Sequence, residues 1–375
     1  MPFEIVRNEI TNVKADAIVN TANPRVTIGH GVDQSIYEAA GIEELLAARA
    51  EIGEMKRGEV AATPAFGLDA KYIIHAIGPK WRGGGHGEFE TIAACYSKSL
   101  ALAAELGCES IAFPLMATGS YGFPKDKALR TAVNEISKFL LHNEMQVTLV
   151  VYDRESYEVS GRLFSDIQSF IEDSDVVLPD YRRGHRRRNE APVAYSIKES
   201  PDIETPDIAG ETVGSVFEAP PSGEDFEASL DAEMDVLIPP PGAEEAYGEL
   251  GGYTSLEERM EHMDKTFQEY LFMLIDRKGL KDSDVYKNAN IDRKLFSKIR
   301  SDKFYQPAKK TVLALAIGMK LNVDETRDLL LRAGYALSNS ILFDMIIRHC
   351  IEKGEYNIYD INCVLFDYDQ PQLGA

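Results

Sequence analysis

The stretch Val19-Asn20-Thr21-Ala22-Asn23, followed ten residues after Asn23 by Asp33 in Gly29-His30-Gly31-Val32-Asp33, constrains the fold of this chain more than any other segment. Residues 17–19 form an apolar run of strand type, and residues 32–40 carry helical spacing. The loop between them holds an Asn, two glycines and an Asp. Glycines at a strand-to-helix junction let the backbone approach a ligand closely. The free N–H groups of the new helix favour an anion there. A second segment repeats this arrangement. Residues 111–115 read as a buried strand, Ala117-Thr118-Gly119-Ser120-Tyr121-Gly122-Phe123-Pro124 as a glycine-punctuated loop, and residues 125–141 as a helix. Ligands of α/β sheets bind at the carboxyl ends of strands. Two such loops can close on one phosphate-rich ligand from opposite sides.

The rest of the N-terminal half agrees with an α/β class. Strand-like runs at 3–6, 72–76 and 146–152 alternate with helical patterns at 42–51, 87–106 and 156–172, which predicts α/β layers around a mainly parallel sheet over residues 1–175. The chain has 375 residues, more than one typical core, so two domains are expected. Composition then shifts. Residues 176–252 are rich in Pro, Glu, Asp, Ser and Gly, with 16 acidic side chains against one basic (Lys198) over 189–252, out of a chain net charge of −21. Such a segment buries too little apolar surface to offset its ordering entropy, and it is expected to be a disordered, self-repelling linker. It also contains the basic run 182–188, expected to pair with the acidic residues beside it.

From residue 253 to 375 the pattern is all-helical. Helices are expected at 256–278, stopped by Gly279, then at 283–289, 292–300, from Pro307 to about 320, after a cap at Asp324 and ending before Gly334, and at 340–353 and 359–366. Asn288-Ala289-Asn290 reads as a turn, since Asn tolerates the left-handed backbone.

The two loops resemble those of the macrodomain, the module that binds ADP-ribose. The family's first loop runs roughly N-A-A-N, spacer, G-G-G-G-V-D, and this chain has N-T-A-N-P-R-V-T-I-G-H-G-V-D; the family's second loop, S-T-G-x-Y/F-G-F-P, matches residues 117–124. Tyr72-Ile73-Ile74-His75-Ala76-Ile77-Gly78-Pro79 resembles the family's fourth-strand signature. The resemblance covers about the first 175 residues and implies a three-layer α/β/α fold with a mixed, mainly parallel sheet. By position it implies that Asn23 and Asp33 frame the distal ribose and, in hydrolytic members, orient and polarise the attacking water. Departure of a carboxylate from the anomeric carbon builds oxocarbenium character, which an anion stabilises, and a carboxylate can accept the water's proton. Asp is also favoured as a helix N-cap, the structural alternative for Asp33.

The resemblance further implies a ligand cradle from Thr118, Gly119, Ser120, Tyr121 and Gly122, faced by Gly29, His30, Gly31 and Val32. Glu9, with Ile10 beside it, stands where many members have an Asp that accepts from the adenine amino group, and Tyr152 where an aromatic stacks on adenine. The alternatives are a tight turn with a core Tyr121, a surface carboxylate at Glu9 and a half-buried strand-end aromatic at Tyr152. Ile28 and His30 replace family glycines. His30 can crowd the diphosphate channel, donate to phosphate, act as an acid or base, or be structural. His75, in an apolar strand, reads as a satisfied core residue, and Trp81-Arg82-Gly83-Gly84-Gly85-His86-Gly87 as a surface loop despite its phosphate-loop look.

The short helices over 266–334 resemble the lambda-repressor-like helix-turn-helix fold. In the 292–300 helix, Leu295, Phe296 and Ile299 share one face and leave Arg293, Lys294, Ser297, Lys298 and Arg300 on the other. Residues 276–332 hold 14 Lys/Arg against 8 Asp/Glu. That pattern fits a recognition helix on DNA, or a solvated basic face of a protein-contact domain. The four cysteines (Cys95, Cys108, Cys350, Cys363) show no metal or disulfide spacing and suit a reduced, cytoplasmic setting. No signal peptide, membrane span or metal constellation is visible. The expected partners are ADP-ribose or an ADP-ribosylated protein, with DNA a candidate for the C-terminal part. No cofactor is expected beyond ADP-ribose as ligand or product.

Overall fold

In the computed structural model, strand β1 (Phe3–Arg7) lies at one edge of a six-stranded sheet and β3 (Val60–Pro64) at the other, in the order β1-β6-β5-β2-β4-β3. The inner strands are β2 (Ala17–Thr21), β4 (Tyr72–Ala76), β5 (Ser110–Pro114) and β6 (Gln146–Val151). All neighbours pair in parallel except β3, which is antiparallel to β4. The structure describes residues 2–152, 162–172 and 264–374. The expected linker, the 182–188 run, and the expected starts of the 156–172 and 256–278 helices lie outside those residues.

Inner strands buried on both faces read as unbroken apolar runs, which is why they were legible in the sequence. Strand β3 was missed. Its Val-Ala-Ala-Thr-Pro has little strand propensity and is held by pairing with β4. Helices α1 (Val32–Ala40) and α2 (Ile42–Ile52) cover one face, where Ile36, Tyr37 and Leu45 pack with Ile18, Ile73 and Ala112. Helices α3 (Glu88–Glu105) and α4 (Lys125–Leu140) pack on each other, and the Tyr96 ring of α3 meets Phe113 of β5 at 5.2 Å. Neighbours Ala112 and Phe113 thus bury on opposite faces, as strand alternation requires. Helix α5 (Arg162–Glu172) follows β6.

The C-terminal residues are helical throughout: α6 (Phe267–Lys278), α7 (Asp282–Asn288), α8 (Arg293–Ser301), α9 (Lys309–Gly318), α10 (Val323–Arg332), α11 (Leu342–Lys353) and α12 (Ile358–Asp367). Apolar α9 is the buried centre, every residue from Thr311 to Gly318 being enclosed. Two expectations change here. Helix α6 begins at Phe267, because Thr266 and Glu269 form a reciprocal capping box that satisfies the first N–H groups. The cap of α10 is Asn322, boxed with Glu325, while Asp324 sits inside the first turn.

Residues 264–375 belong to the same compact unit as residues 1–177. The outer edge of β1 is their meeting line. Phe3 N–H donates to Asn290 Oδ1 at 2.7 Å, and Asn290 Nδ2 donates to Phe3 O at 2.9 Å and Leu373 O at 3.2 Å. Two residues along, Ile5 N–H donates to Gln372 Oε1 at 3.0 Å and Gln372 Nε2 donates to Ile5 O at 2.8 Å. Two further along, Arg7 pairs with Asp369 and its guanidinium lies 4.4 Å over the Phe366 ring. Two side-chain amides thus stand in for a neighbouring strand, which answers the open-edge problem of β1. Gly374 is required beside them, since its φ is +80° and a Cβ would lie 2.4 Å from Asn290 O.

Candidate functional site

At the carboxyl ends of β2, β5 and β6 the chain encloses a cleft of about 520 Å³. Its lining includes Glu9, Ile10, Asn23, Gly29, His30, Gly31, Val32, Asp33, Thr118, Gly119, Ser120, Tyr121 and Tyr152, so all but one of the expected N-terminal site residues converge on it. The exception is Gly122. It stands behind the loop at φ +67°, where its N–H bonds Gly119 O at 2.9 Å and turns the backbone.

Asp33 is the buried carboxylate of the set, 3 % exposed. The N-cap of α1 is Gly31, at φ +67° with no side-chain cap, so Asp33 falls in the first helical turn and the cap alternative is set aside. Each of its oxygens takes a protein donor: Oδ1 from Asn20 Nδ2 at 2.6 Å and Oδ2 from Gly29 N–H at 2.5 Å. Burial pushes its pKa up, and the Gly29 N–H, the Asn20 amide and the Arg49 guanidinium oppose that rise. Arg49, 1 % exposed, donates to Gly53 O and reaches Asn23 O at 3.4 Å, so a fixed cation lies under the loop.

Gly29 is where the site needs a glycine. A Cβ there would lie 3.0 Å from Asp33 Oδ2 and 3.1 Å from Asn23 Nδ2. Asn23 donates to Thr27 O at 3.1 Å, and its Oδ1 meets the Tyr121 hydroxyl at 3.4 Å, which ties the first loop to the second. The departures from the family glycines are placed differently. Ile28 packs against the core cluster of Ile18, Ile36 and Leu45, away from the ligand space. His30 is exposed on the cleft wall.

The second loop is shaped by Ala117, at φ +63°, whose carbonyl accepts from Phe123 N–H at 2.9 Å. Among the described residues the N–H groups of Thr118, Gly119, Ser120 and Tyr121 make no bond to the protein, and all four residues line the cleft. At the other end Glu9 and Tyr152 are exposed, Tyr152 by 67 %, which displaces the half-buried alternative for that ring and leaves its face open. Ile10 is buried beneath them and shapes the floor.

The layer behind Asp33 has no motif of its own in the sequence. Asn20 and His75 are both fully buried, and Asn20, the first Asn of the motif, carries the contact to Asp33. Only the register of β2 on β4, which sets Asn20 opposite His75, brings them together. The glycine-rich loop at 81–87 also gains an explanation. Glu88, 3 % exposed, accepts from the N–H groups of Arg82 at 2.9 Å, Gly84 at 3.3 Å and His86 at 2.6 Å. Burial would raise its pKa, but these donors outweigh that and bring it to about 2. The anion this loop binds is its own glutamate.

In the C-terminal helices, Arg293, Lys294, Ser297, Lys298 and Arg300 are exposed on α8, while Phe296 and Ile299 are buried. Arg300 pairs with Asp282 at 2.8 Å and stacks 4.4 Å over Phe272. The four cysteines are buried and unbridged. No helix among the described residues is long and apolar enough to cross a membrane.

The model of the Macro domain family matches residues 19–132, from the middle of β2 to the middle of α4. A macro domain-containing protein of Methanosarcina mazei is 42 % identical over 167 residues, covering 44 % of this chain and 89 % of that protein. A Citrobacter rodentium protein named O-acetyl-ADP-ribose deacetylase is 42 % identical over 168 residues, covering 44 % and 95 %. The solved structure titled Oceanobacillus iheyensis macrodomain with ADP is 32 % identical, covers 46 % of this chain and 93 % of that one, and superposes with a TM-score of 0.40. With a strand–glycine–helix loop on each side of one cleft and relatives of this identity matched over most of their length, the chain belongs to the macro domain family.

Proposed function

We propose that the cleft binds ADP-ribose and releases it from an ester, either a mono-ADP-ribosylated acidic side chain or a related ADP-ribose ester. The observation that carries this reading is the placement of the Asp33 and Asn23 side chains together where a Cβ on Gly29 would point, in a cleft also lined by residues 118–121 with their unused N–H groups. The diphosphate lies along the N–H groups of 118–121 and the start of α1, with His30 at the wall. Adenine lies toward Glu9 and Tyr152, and the distal ribose over Gly29 beside Tyr121. Water attacks the anomeric carbon as the bond to the carboxylate leaving group breaks. Asp33 stabilises the oxocarbenium charge and takes the water's proton, while Asn23 holds a ribose hydroxyl or the water. Each Asp33 oxygen keeps lone-pair capacity beyond its one protein donor. Relatives named O-acetyl-ADP-ribose deacetylase support an ester as the substrate class. The reading calls for no cofactor.

The test is incubation of the purified chain with a protein mono-ADP-ribosylated on Glu or Asp, followed by measurement of free ADP-ribose. Asp33→Ala is expected to abolish release and retain binding. Binding of ADP-ribose without release by the parent chain would refute the hydrolase and leave a sensor.

A specific observation favours that second reading, a sensor coupled to a DNA- or protein-binding helical region. Arg7, held by Asp369 and Phe366 of the C-terminal region, is followed at once by Asn8 and Glu9 of the cleft lining, so the adenine end adjoins the helical part. The exposed basic face of α8 would supply the phosphate contacts.

A further inference from the structure

Behind Asp33 runs a chain of buried polar groups, one on each of three adjacent strands: Asn20 on β2, His75 on β4 and Thr63 on β3. Asn20 and His75 are fully buried and Thr63 is 4 % exposed, and none of the three lines the cleft. We propose that His75, hydrogen-bonded to Thr63, fixes the side-chain amide of Asn20 and through it the carboxylate of Asp33, so that a histidine which never meets the ligand is a positioning residue of the site. This rests on the proposed role of Asp33.

Donors and acceptors fix this arrangement. Asn20 Nδ2 has two hydrogens and two neighbours, Asp33 Oδ1 at 2.6 Å and His75 Nδ1 at 3.3 Å. For both to be hydrogen bonds, Nδ1 must carry a lone pair, which puts the ring proton on Nε2, 3.0 Å from Thr63 Oγ1. Asn20 Oδ1 is buried with no hydrogen-bond partner, so the amide holds this orientation at the cost of an orphaned oxygen. Turning the amide over would set that oxygen against the Asp33 carboxylate. The orientation therefore depends on two acceptors, and His75 Nδ1 is one of them. A proton on Nδ1 would oppose the amide hydrogens. Burial, with Arg49 adding to it, pushes the His75 pKa down to about 3, which keeps the ring neutral.

The charged and titratable groups that interact with Asp33 are Arg49 from α2, Tyr37 from α1 and Tyr121 from the second loop. Arg49 favours the ionised carboxylate independently of His75. Losing the Asn20 bond while Arg49 stays predicts a raised Asp33 pKa rather than a collapsed site.

The experiment compares His75→Phe, which fills the space without an acceptor, with His75→Asn, whose Oδ1 takes the place of Nδ1. Two readouts are taken on the full chain: the Asp33 carboxyl titration by 13C NMR without ligand, and the pH profile of ADP-ribose release. His75→Phe is expected to move the Asp33 titration upward by about one to two pH units, the size of a charge-assisted hydrogen bond, and the acid limb of turnover with it. His75→Asn is expected to stay within about half a unit of the parent. Wild-type titration in folded His75→Phe, or an equal shift in both variants, overturns the proposal. If His75→Phe does not fold, Thr63→Val replaces it: removing the acceptor of the Nε2 proton predicts a smaller upward shift, and no shift overturns the proposal. A moved titration in a chain that releases no ADP-ribose leaves the positioning relay standing and removes the hydrolase.

Discussion

Replacing Asn290 by Gly should cost about 3 kcal/mol of folding stability. Asn290 is 3 % exposed and sits between Phe3 and Leu373, both fully buried. Its amide makes three hydrogen bonds to backbone, one from Phe3 N–H and two to the Phe3 and Leu373 carbonyls. Each is worth about 1 kcal/mol net, and more where the abandoned group stays dry. Glycine is the informative replacement because Asn290 has φ +53°. Glycine keeps that backbone, whereas Asn290→Ala adds about 1 kcal/mol of left-handed strain. The expected order is parent, then Gly, then Ala. Urea unfolding followed by fluorescence of the sole tryptophan, Trp81, gives the free energy, and exchange of the Phe3 amide gives the local effect. Trp81 lies in the N-terminal part, so a shifted midpoint also shows that the two parts unfold together. A loss under about 1 kcal/mol with the Phe3 amide still protected, or Ala more stable than Gly, would refute the reasoning.

Gly29→Ala should lower turnover by roughly tenfold or more with little change in stability, because the nearest atoms the new Cβ presses on belong to the side chains of Asp33 and Asn23; unchanged kcat would show that the two side chains yield at no cost. Glu88 has a folded pKa near 2 against an ordinary 4.5, so its contribution to stability is present above about 4.5 and is lost as pH falls through about 2. Glu88→Gln should remove that part of the acid destabilisation, seen as a smaller drop in the urea midpoint between pH 5 and pH 2. On duplex DNA, Lys294→Glu with Lys298→Glu should abolish any salt-dependent shift, and binding that survives both changes would clear α8 of the role.

The local grammar of the chain was readable because it is set by near neighbours. Among the described residues, apolar runs of strand length, glycines at loop corners and three-to-four spacing placed five of six strands and the five α-helices of the N-terminal half, but not the single 3-10 turn at Ile10–Asn12. The pattern of Asn23, Asp33 and the 117–124 loop located the cleft. Strand β3 escaped because its strand state comes from pairing with β4. The direction of the Ile28 side chain escaped because a glycine-loop motif does not say which face of the backbone meets the core.

The sequence by itself determined an α/β unit with two ligand loops, an acidic segment, and helices after it. Tertiary structure decided what lies behind and beside that site. Asn20, His75 and Thr63 become one network only when β2, β4 and β3 come into register. Asn290 and Gln372 close the edge of β1 from 287 and 367 residues away. Hydrogen bonds between residues so far apart leave no periodicity to read. They arise because a buried N–H or carbonyl must find a partner, and only the fold determines which one is within reach.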